Sequence, residues 1–225
     1  MKRGAKKNKF KIRYDRILKC LLFLAIVGSF IYHIFTMRLT NIYITGNKHL
    51  KDQEIIELAS LENYPRMLKV NKDEITNKLK KANEIIDVKV KKRNTTITIE
   101  IEEAKPLYYD SLSTKIVLSN GKSTDKKYTL PILVNLVPDE IREKFIKCLS
   151  EVNDEVLVKI SEIKYDPNVD TERFLLTMND GNYVYINLKR FNLVNNYLTI
   201  ISNFKDEKGI IYLDSGSHFE IFKKS

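Results

Sequence analysis

Cysteine is nearly absent from this 225-residue chain. Its two cysteines, Cys20 and Cys148, stand 128 positions apart, so no disulfide framework holds the fold. Glycine and proline are scarce too, at seven and five, which excludes a long flexible linker and a collagen-like repeat. The three histidines, His33, His49 and His218, are scattered, and no Cys and His combination has the spacing of a metal site. No Gly-x-Ser-x-Gly, His-Glu-x-x-His or phosphate-loop motif occurs. The adjacent carboxylates Glu102-Glu103 and Asp139-Glu140 read as a solvated strand end and the first turn of a helix. Ser215 and His218 read as a turn and a neighbouring strand, not as a hydrolase pair. Cys148 falls on the apolar side of a predicted helix, where a thiol packs as core rather than acting as a nucleophile. The expectation is a protein that is not an enzyme and needs no cofactor or metal.

What the chain does have is an excess of positive charge, +10 in all, and its placement matters more than its size. Residues 1–19 hold Lys2, Arg3, Lys6, Lys7, Lys9, Lys11, Arg13, Arg16 and Lys19 against Asp15 alone, or nine minus one, +8. The remaining 206 residues carry 30 basic and 28 acidic groups, +2. A nearly neutral body does not present a uniformly basic surface, so nucleic acid is not expected as a partner.

Directly after this tail, Cys20–Met37 contains no Asp, Glu, Lys or Arg. Eighteen helical residues span roughly 27 Å, close to a hydrocarbon core of about 30 Å. A buried globular helix rarely is apolar all round with a basic block at one end. A cleaved signal peptide needs a small-x-small site, and the run instead continues Phe30-Ile31-Tyr32-His33-Ile34-Phe35. The reading is an uncleaved signal anchor. Its cations hold the N-terminal side in the cytoplasm and send residues from Arg38 onward outside, a single-pass type II topology in the plasma membrane. Lys6, Lys7, Lys9, Lys11, Arg13 and Arg16 are then expected against anionic membrane lipid, each worth about 1 kcal/mol near the surface.

Beyond the anchor, residues 38–105 read as a first outer module. Leu39–Thr45 alternates as a strand, with Ile42 and Ile44 on one face, and Gly46-Asn47 turns the chain. Asp52–Ser60 follows as a short helix. Asn71 caps a second, with Glu74 three positions on as in a capping box and Ile75, Leu79 and Ala82 as its stripe. Ile86, Val88 and Val90 alternate with charged residues, as do Ile97, Ile99 and Ile101 with polar ones, and Arg93-Asn94-Thr95 turns between the two strands. The order β-α-α-β-β predicts a three-stranded sheet covered on one face by two helices.

Residues 106–225 read as a second, mixed and sheet-rich module. Short strands are expected at Leu107–Tyr109 and Lys115–Leu118, with Leu130–Val134 as a further short segment. A helix is expected over Asp139–Val152. Strands follow at Ile160–Tyr165, Phe174–Met178 and Tyr183–Leu188, the last two flanking Asp180-Gly181. A helix over Phe191–Phe204 precedes a final hairpin, Gly209–Asp214 and His218–Phe222, turning at Ser215-Gly216.

The first module, with Gly46-Asn47, the Asn71 cap and Ile97-x-Ile99-x-Ile101-x-Glu103-x-x-Pro106, resembles an FtsQ-type POTRA domain. With the anchor before it and the strands after it, nearly the whole chain is similar to the bacterial cell-division family FtsQ/DivIB. The family usually has Pro where this chain has Asn94, and a Ser or Thr helix cap where Lys51 stands. The resemblance implies an α+β architecture and a non-enzymatic divisome scaffold at the division septum. It implies partners as well: an FtsB/DivIC-like and an FtsL-like protein, and through them the septal peptidoglycan synthase complex. The resemblance places partner binding on the last strands, and Ile211, Tyr212, Leu213, Asp214 and Phe219 are the candidate residues. Aromatic side chains dominate binding hot spots. Alternation puts Ile211 and Leu213 on one face and Ile210, Tyr212 and Asp214 on the other, one set being core. Tyr212 and Asp214 are taken as the exposed set. The alternatives are a membrane-anchored cell-wall enzyme and a POTRA-type assembly or translocation factor.

Overall fold

The computed structural model describes residues 14–204 and 207–222. Lys6, Lys7, Lys9, Lys11 and Arg13 therefore lie outside the described residues, while Arg16 is exposed on the first helix. That helix, α1 (Tyr14–Thr36), buries none of its residues in the protein, and it is long and apolar enough to cross a membrane.

The first sheet orders its strands β1-β3-β2, with β1 (Asn41–Thr45), β2 (Ile85–Arg93) and β3 (Thr96–Glu103). The β2–β3 hairpin is antiparallel and β1 lies parallel to β3. Asn94 takes φ +51 at the hairpin turn, a left-handed conformation that Asn tolerates and the family's Pro does not. Helices α2 (Asp52–Leu58) and α3 (Lys72–Leu79) cover one face. There Ile55, Ile75 and Leu79 pack on Val88, Ile97, Ile99 and Ile101. Asn71 caps α3 by accepting the Asp73 N–H at 2.9 Å, whereas Lys51 gives α2 no side-chain cap. One expectation fails in β2. A register shift between Ile85 and Asp87 makes Ile85 the core residue and leaves Ile86 exposed. A bulge swaps faces in this way, and period-two reading does not see it.

The second sheet has nine strands in the order β12-β11-β10-β9-β8-β7-β4-β5-β6. They are β4 (Pro106–Asp110), β5 (Lys115–Leu118), β6 (Ser123–Thr124), β7 (Ile132–Leu133), β8 (Ile160–Tyr165), β9 (Arg173–Met178), β10 (Tyr183–Asn187), β11 (Gly209–Tyr212) and β12 (His218–Ile221). One face is covered by α4 (Asp139–Ser150), α5 (Asp154–Leu157) and a helical crossover from Leu188 to Ser202. The crossover is needed because β10 and β11 are parallel neighbours. It is not the single α-helix expected. Leu188–Asn196 winds as a tighter 3-10 segment, broken at Arg190, before α6 (Tyr197–Ser202). At the centre of this core Phe145 stacks on Phe174 at 4.5 Å and meets Phe191 edge-on at 5.9 Å. Cys148 packs against the same core, and burial pushes its thiol pKa up.

The two sheets touch through polar contacts. Lys105 pairs with Asp154 at 2.6 Å and donates to the Val152 carbonyl, and Lys126 pairs with Glu54 at 2.7 Å. Thr124 donates to Glu84 at 2.6 Å, the Asn83 side-chain amide donates to the Ser123 carbonyl, and the Asn120 side-chain amide donates to the Asn83 carbonyl.

Candidate partner-binding edge

The final hairpin is built by close approach of two backbones. Gly209 opens β11, and a Cβ there would sit 2.1 Å from the Glu220 carbonyl oxygen across the hairpin. Only glycine lets β12 come so near. A polar network pins the same spot. The Gly209 N–H donates to Asn182 Oδ1 at 3.0 Å, Asn182 Nδ2 donates to the Tyr197 hydroxyl at 3.2 Å, and that hydroxyl donates to Asp180 Oδ2 at 2.6 Å. Burial raises the Asp180 pKa, but the hydrogen bonds from Tyr197 and Asn182 outweigh it and hold the carboxyl below its ordinary range.

The inner face of the hairpin belongs to the core. Ile211 and Leu213 are 1% and 2% exposed. This removes both from the candidate partner-binding residues, because neither has surface to offer. Phe219, opposite Ile211, rests on this core with its ring 4.5 Å from Phe204. Its side chain seats the edge strand.

The outer face carries a ladder of rings. Tyr185, Tyr212 and His218 stand directly opposite one another on β10, β11 and β12. Tyr212 stacks on Tyr185 at 5.5 Å and on His218 at 4.5 Å. Its hydroxyl donates to Glu220 at 3.2 Å, and partial burial followed by that carboxylate raises its pKa. Beneath the ladder Arg173 lies 3.7 Å over the Tyr185 ring. Its guanidinium donates to Asp214 Oδ2 at 2.7 Å and Asp166 Oδ2 at 3.1 Å. The Asp214 side chain is only 9% exposed. The sequence expectation has it exposed and a candidate for partner binding, and it meets Arg173 of its own chain instead. Sequence reasoning missed Arg173, Asp166, Tyr185 and Asn182. The alternation Tyr183-x-Tyr185 was the signal available for one of them.

Beyond β12 no further strand pairs among the described residues. Phe222 donates its N–H to the Lys208 carbonyl at 2.9 Å, just past the Gly209–Ile221 pair. Antiparallel ladders alternate inward and outward pairs, so the backbone groups of Phe219 and Ile221 point to the open edge. Among the described residues no cluster of three or more His, Cys, Asp or Glu is placed to hold a metal ion.

The family model of the FtsQ-type POTRA domain matches residues 37–104. Cell division protein DivIB of Bacillus subtilis is 31% identical over 93% of this chain and 85% of its own length. The chain belongs to the DivIB family of cell division proteins. DivIB of Erysipelothrix rhusiopathiae is 28% identical over 89% of this chain and 79% of its own. The solved major extracytoplasmic domain of DivIB from Geobacillus stearothermophilus covers 47% of this chain and 96% of that chain, at 24% identity and a TM-score of 0.38. Membership of the DivIB family makes this a cell-division protein, with an N-terminal apolar helix, a POTRA domain and a mixed, sheet-rich C-terminal region.

Proposed function

We propose that this protein is a non-enzymatic scaffold of the divisome, working at the septum as a single-pass type II membrane protein. Residues 1–19 form its cytoplasmic tail, 20–37 its anchor, 38–105 its POTRA domain and 106–225 its partner-binding domain. The tail cations Lys6, Lys7, Lys9, Lys11, Arg13 and Arg16 lie against membrane lipid. The C-terminal edge receives an extended segment of an FtsB/DivIC-like protein, in a complex with an FtsL-like protein, and so helps recruit and regulate septal peptidoglycan synthesis.

The observation that carries this reading is the open edge of β12 in a member of this family. An extended peptide that adds a strand draws affinity from main-chain hydrogen bonds and specificity from neighbouring side chains. The outward groups of Phe219 and Ile221 supply the former, and the half-exposed rings of Tyr212 and Phe219 flank the seam.

Co-purification of the full chain from native membranes tests it. The FtsB/DivIC-like partner should come with the wild type. Ile221→Pro removes one outward N–H, a site an edge strand tolerates, and should release the partner with the circular dichroism spectrum unchanged. Tyr212→Glu should do the same. Retained binding in both variants removes the edge from the account. A reporter fused after Ser225 should be active only outside the cell, and purified protein should leave peptidoglycan intact.

A further inference from the structure

Helix α1 enters the first sheet with no linker. The Met37 N–H continues the last turn by donating to the His33 carbonyl at 3.0 Å, and the Met37 side chain packs on the first core. The same junction is tied to the loop that follows α2. Met67 donates to the Met37 carbonyl at 2.9 Å, Leu39 donates to the Pro65 carbonyl at 3.0 Å, and Arg38 and Arg66 form an antiparallel bridge. The tip of the β2–β3 hairpin reaches this end too. The Thr40 N–H and hydroxyl donate to the Thr95 carbonyl and hydroxyl, each at 2.8 Å, and Lys92 Nζ donates to the Met67 and Val70 carbonyls at 2.6 and 2.8 Å. Loop and hairpin tip are thereby fixed at the level where the apolar helix ends.

The side chains at this level suit a lipid surface. Tyr64 and Leu68 are 50% and 56% exposed. Asn63 and Tyr64 both hold positive φ, +58 and +49, a conformation L residues seldom take, between the buried Leu61 and Met67. Around them are Arg38, Arg66, Lys69 and Arg93, all exposed, and Glu62 is the one acidic residue in segments 37–41, 62–70 and 91–96. An exposed leucine alone needs no explanation. An exposed leucine and tyrosine among four cations, held beside the end of a membrane-crossing helix, do.

We infer that this end of the POTRA domain docks on the bilayer, with Tyr64 and Leu68 entering the headgroup layer and Arg38, Arg66, Lys69 and Arg93 meeting anionic phospholipid headgroups. Tyrosine concentrates at that depth, and cations within a Debye length of an anionic leaflet are drawn to it. The domain then rests on the membrane surface instead of swinging above it. The inference rests on α1 spanning the bilayer, and the test separates the two.

The chain contains no tryptophan, so one substitution installs a single emitter. The full chain is reconstituted in phosphatidylglycerol–phosphatidylcholine vesicles whose acyl chains are brominated near the headgroup. Phe30→Trp reports on the helix, Tyr64→Trp on the docking surface, and Val169→Trp, at an exposed site on the second sheet, on bulk water. Quenching of Phe30→Trp and Tyr64→Trp but not Val169→Trp is expected. Adding Lys69→Glu and Arg93→Glu to Tyr64→Trp should abolish its quenching, as should omitting phosphatidylglycerol. Quenched Phe30→Trp beside unquenched Tyr64→Trp overturns the docking and leaves the membrane span standing. Unquenched Phe30→Trp overturns both. Quenching of Tyr64→Trp that ignores the charge reversals and the lipid charge overturns the anionic contact.

Discussion

Arg173 joins two carboxylates and an aromatic ring in the second sheet. Its guanidinium sits between Asp166 and Asp214, all three side chains nearly buried, and lies flat on Tyr185. Removing one member of such a group leaves uncompensated buried charge, which costs about 3–5 kcal/mol. Arg173→Met should lower stability by that order in urea unfolding. Arg173→Lys should recover only part of it, because one ammonium cannot serve two carboxylates and also lie on a ring. Gly209→Ala tests a different residue-scale claim. Its Cβ would meet the Glu220 carbonyl oxygen at 2.1 Å, so β12 must move away. Hydrogen exchange should show protection lost along β11 and β12 while β8 and β9 keep theirs.

Among the elements, the two short helices of the POTRA domain make a matched pair. Helix α3 is capped by Asn71, while α2 starts at Lys51 with no side-chain cap. Asn71→Ala should cost about 1 kcal/mol, and Lys51→Ser should gain a similar amount, measured as opposite shifts of the urea midpoint. Edge strand β12 obeys a different logic. It holds four paired residues and no buried one, and Phe219 meets the core side through its ring contact with Phe204. Phe219→Ala should therefore loosen the strand as well as weaken any partner, which makes Ile221→Pro the cleaner probe of the backbone edge.

For the whole molecule, the issue is how firmly the two sheets are joined. The Lys126–Glu54 pair crosses between them, and Lys105, in the connection from β3 to β4, is held to Asp154. The Lys105 hydrogen bond holds the Asp154 carboxyl below its ordinary range, and the Lys126 hydrogen bond does the same for Glu54. A carboxyl with a lowered folded-state pKa adds stability that is complete above its ordinary value and fades as pH falls through the lowered one. The joint should thus be intact at neutral pH and loosen in acid, below about pH 4. Spin-label distances between the two sheets should broaden over that range and stay narrow above it. Both carboxylates are largely solvated, so high salt should act in the same direction.

The long apolar helix and the β-α-α-β-β order were legible in the chain itself, because each rests on a local period: a run of apolar residues, a 3.6-residue stripe, a two-residue alternation. The same alternation sorted Ile211 and Leu213 from Tyr212 and Asp214 but left open which set was core. Packing beneath the sheet decided that, when Phe145, Phe174 and Phe191 filled the inner face. Tertiary structure also placed Arg173 under Asp214, 41 residues away in sequence, and set Ile85 rather than Ile86 in the core through a bulge. Those outcomes depend on which distant strands become neighbours, and no local pattern of residues encodes that choice.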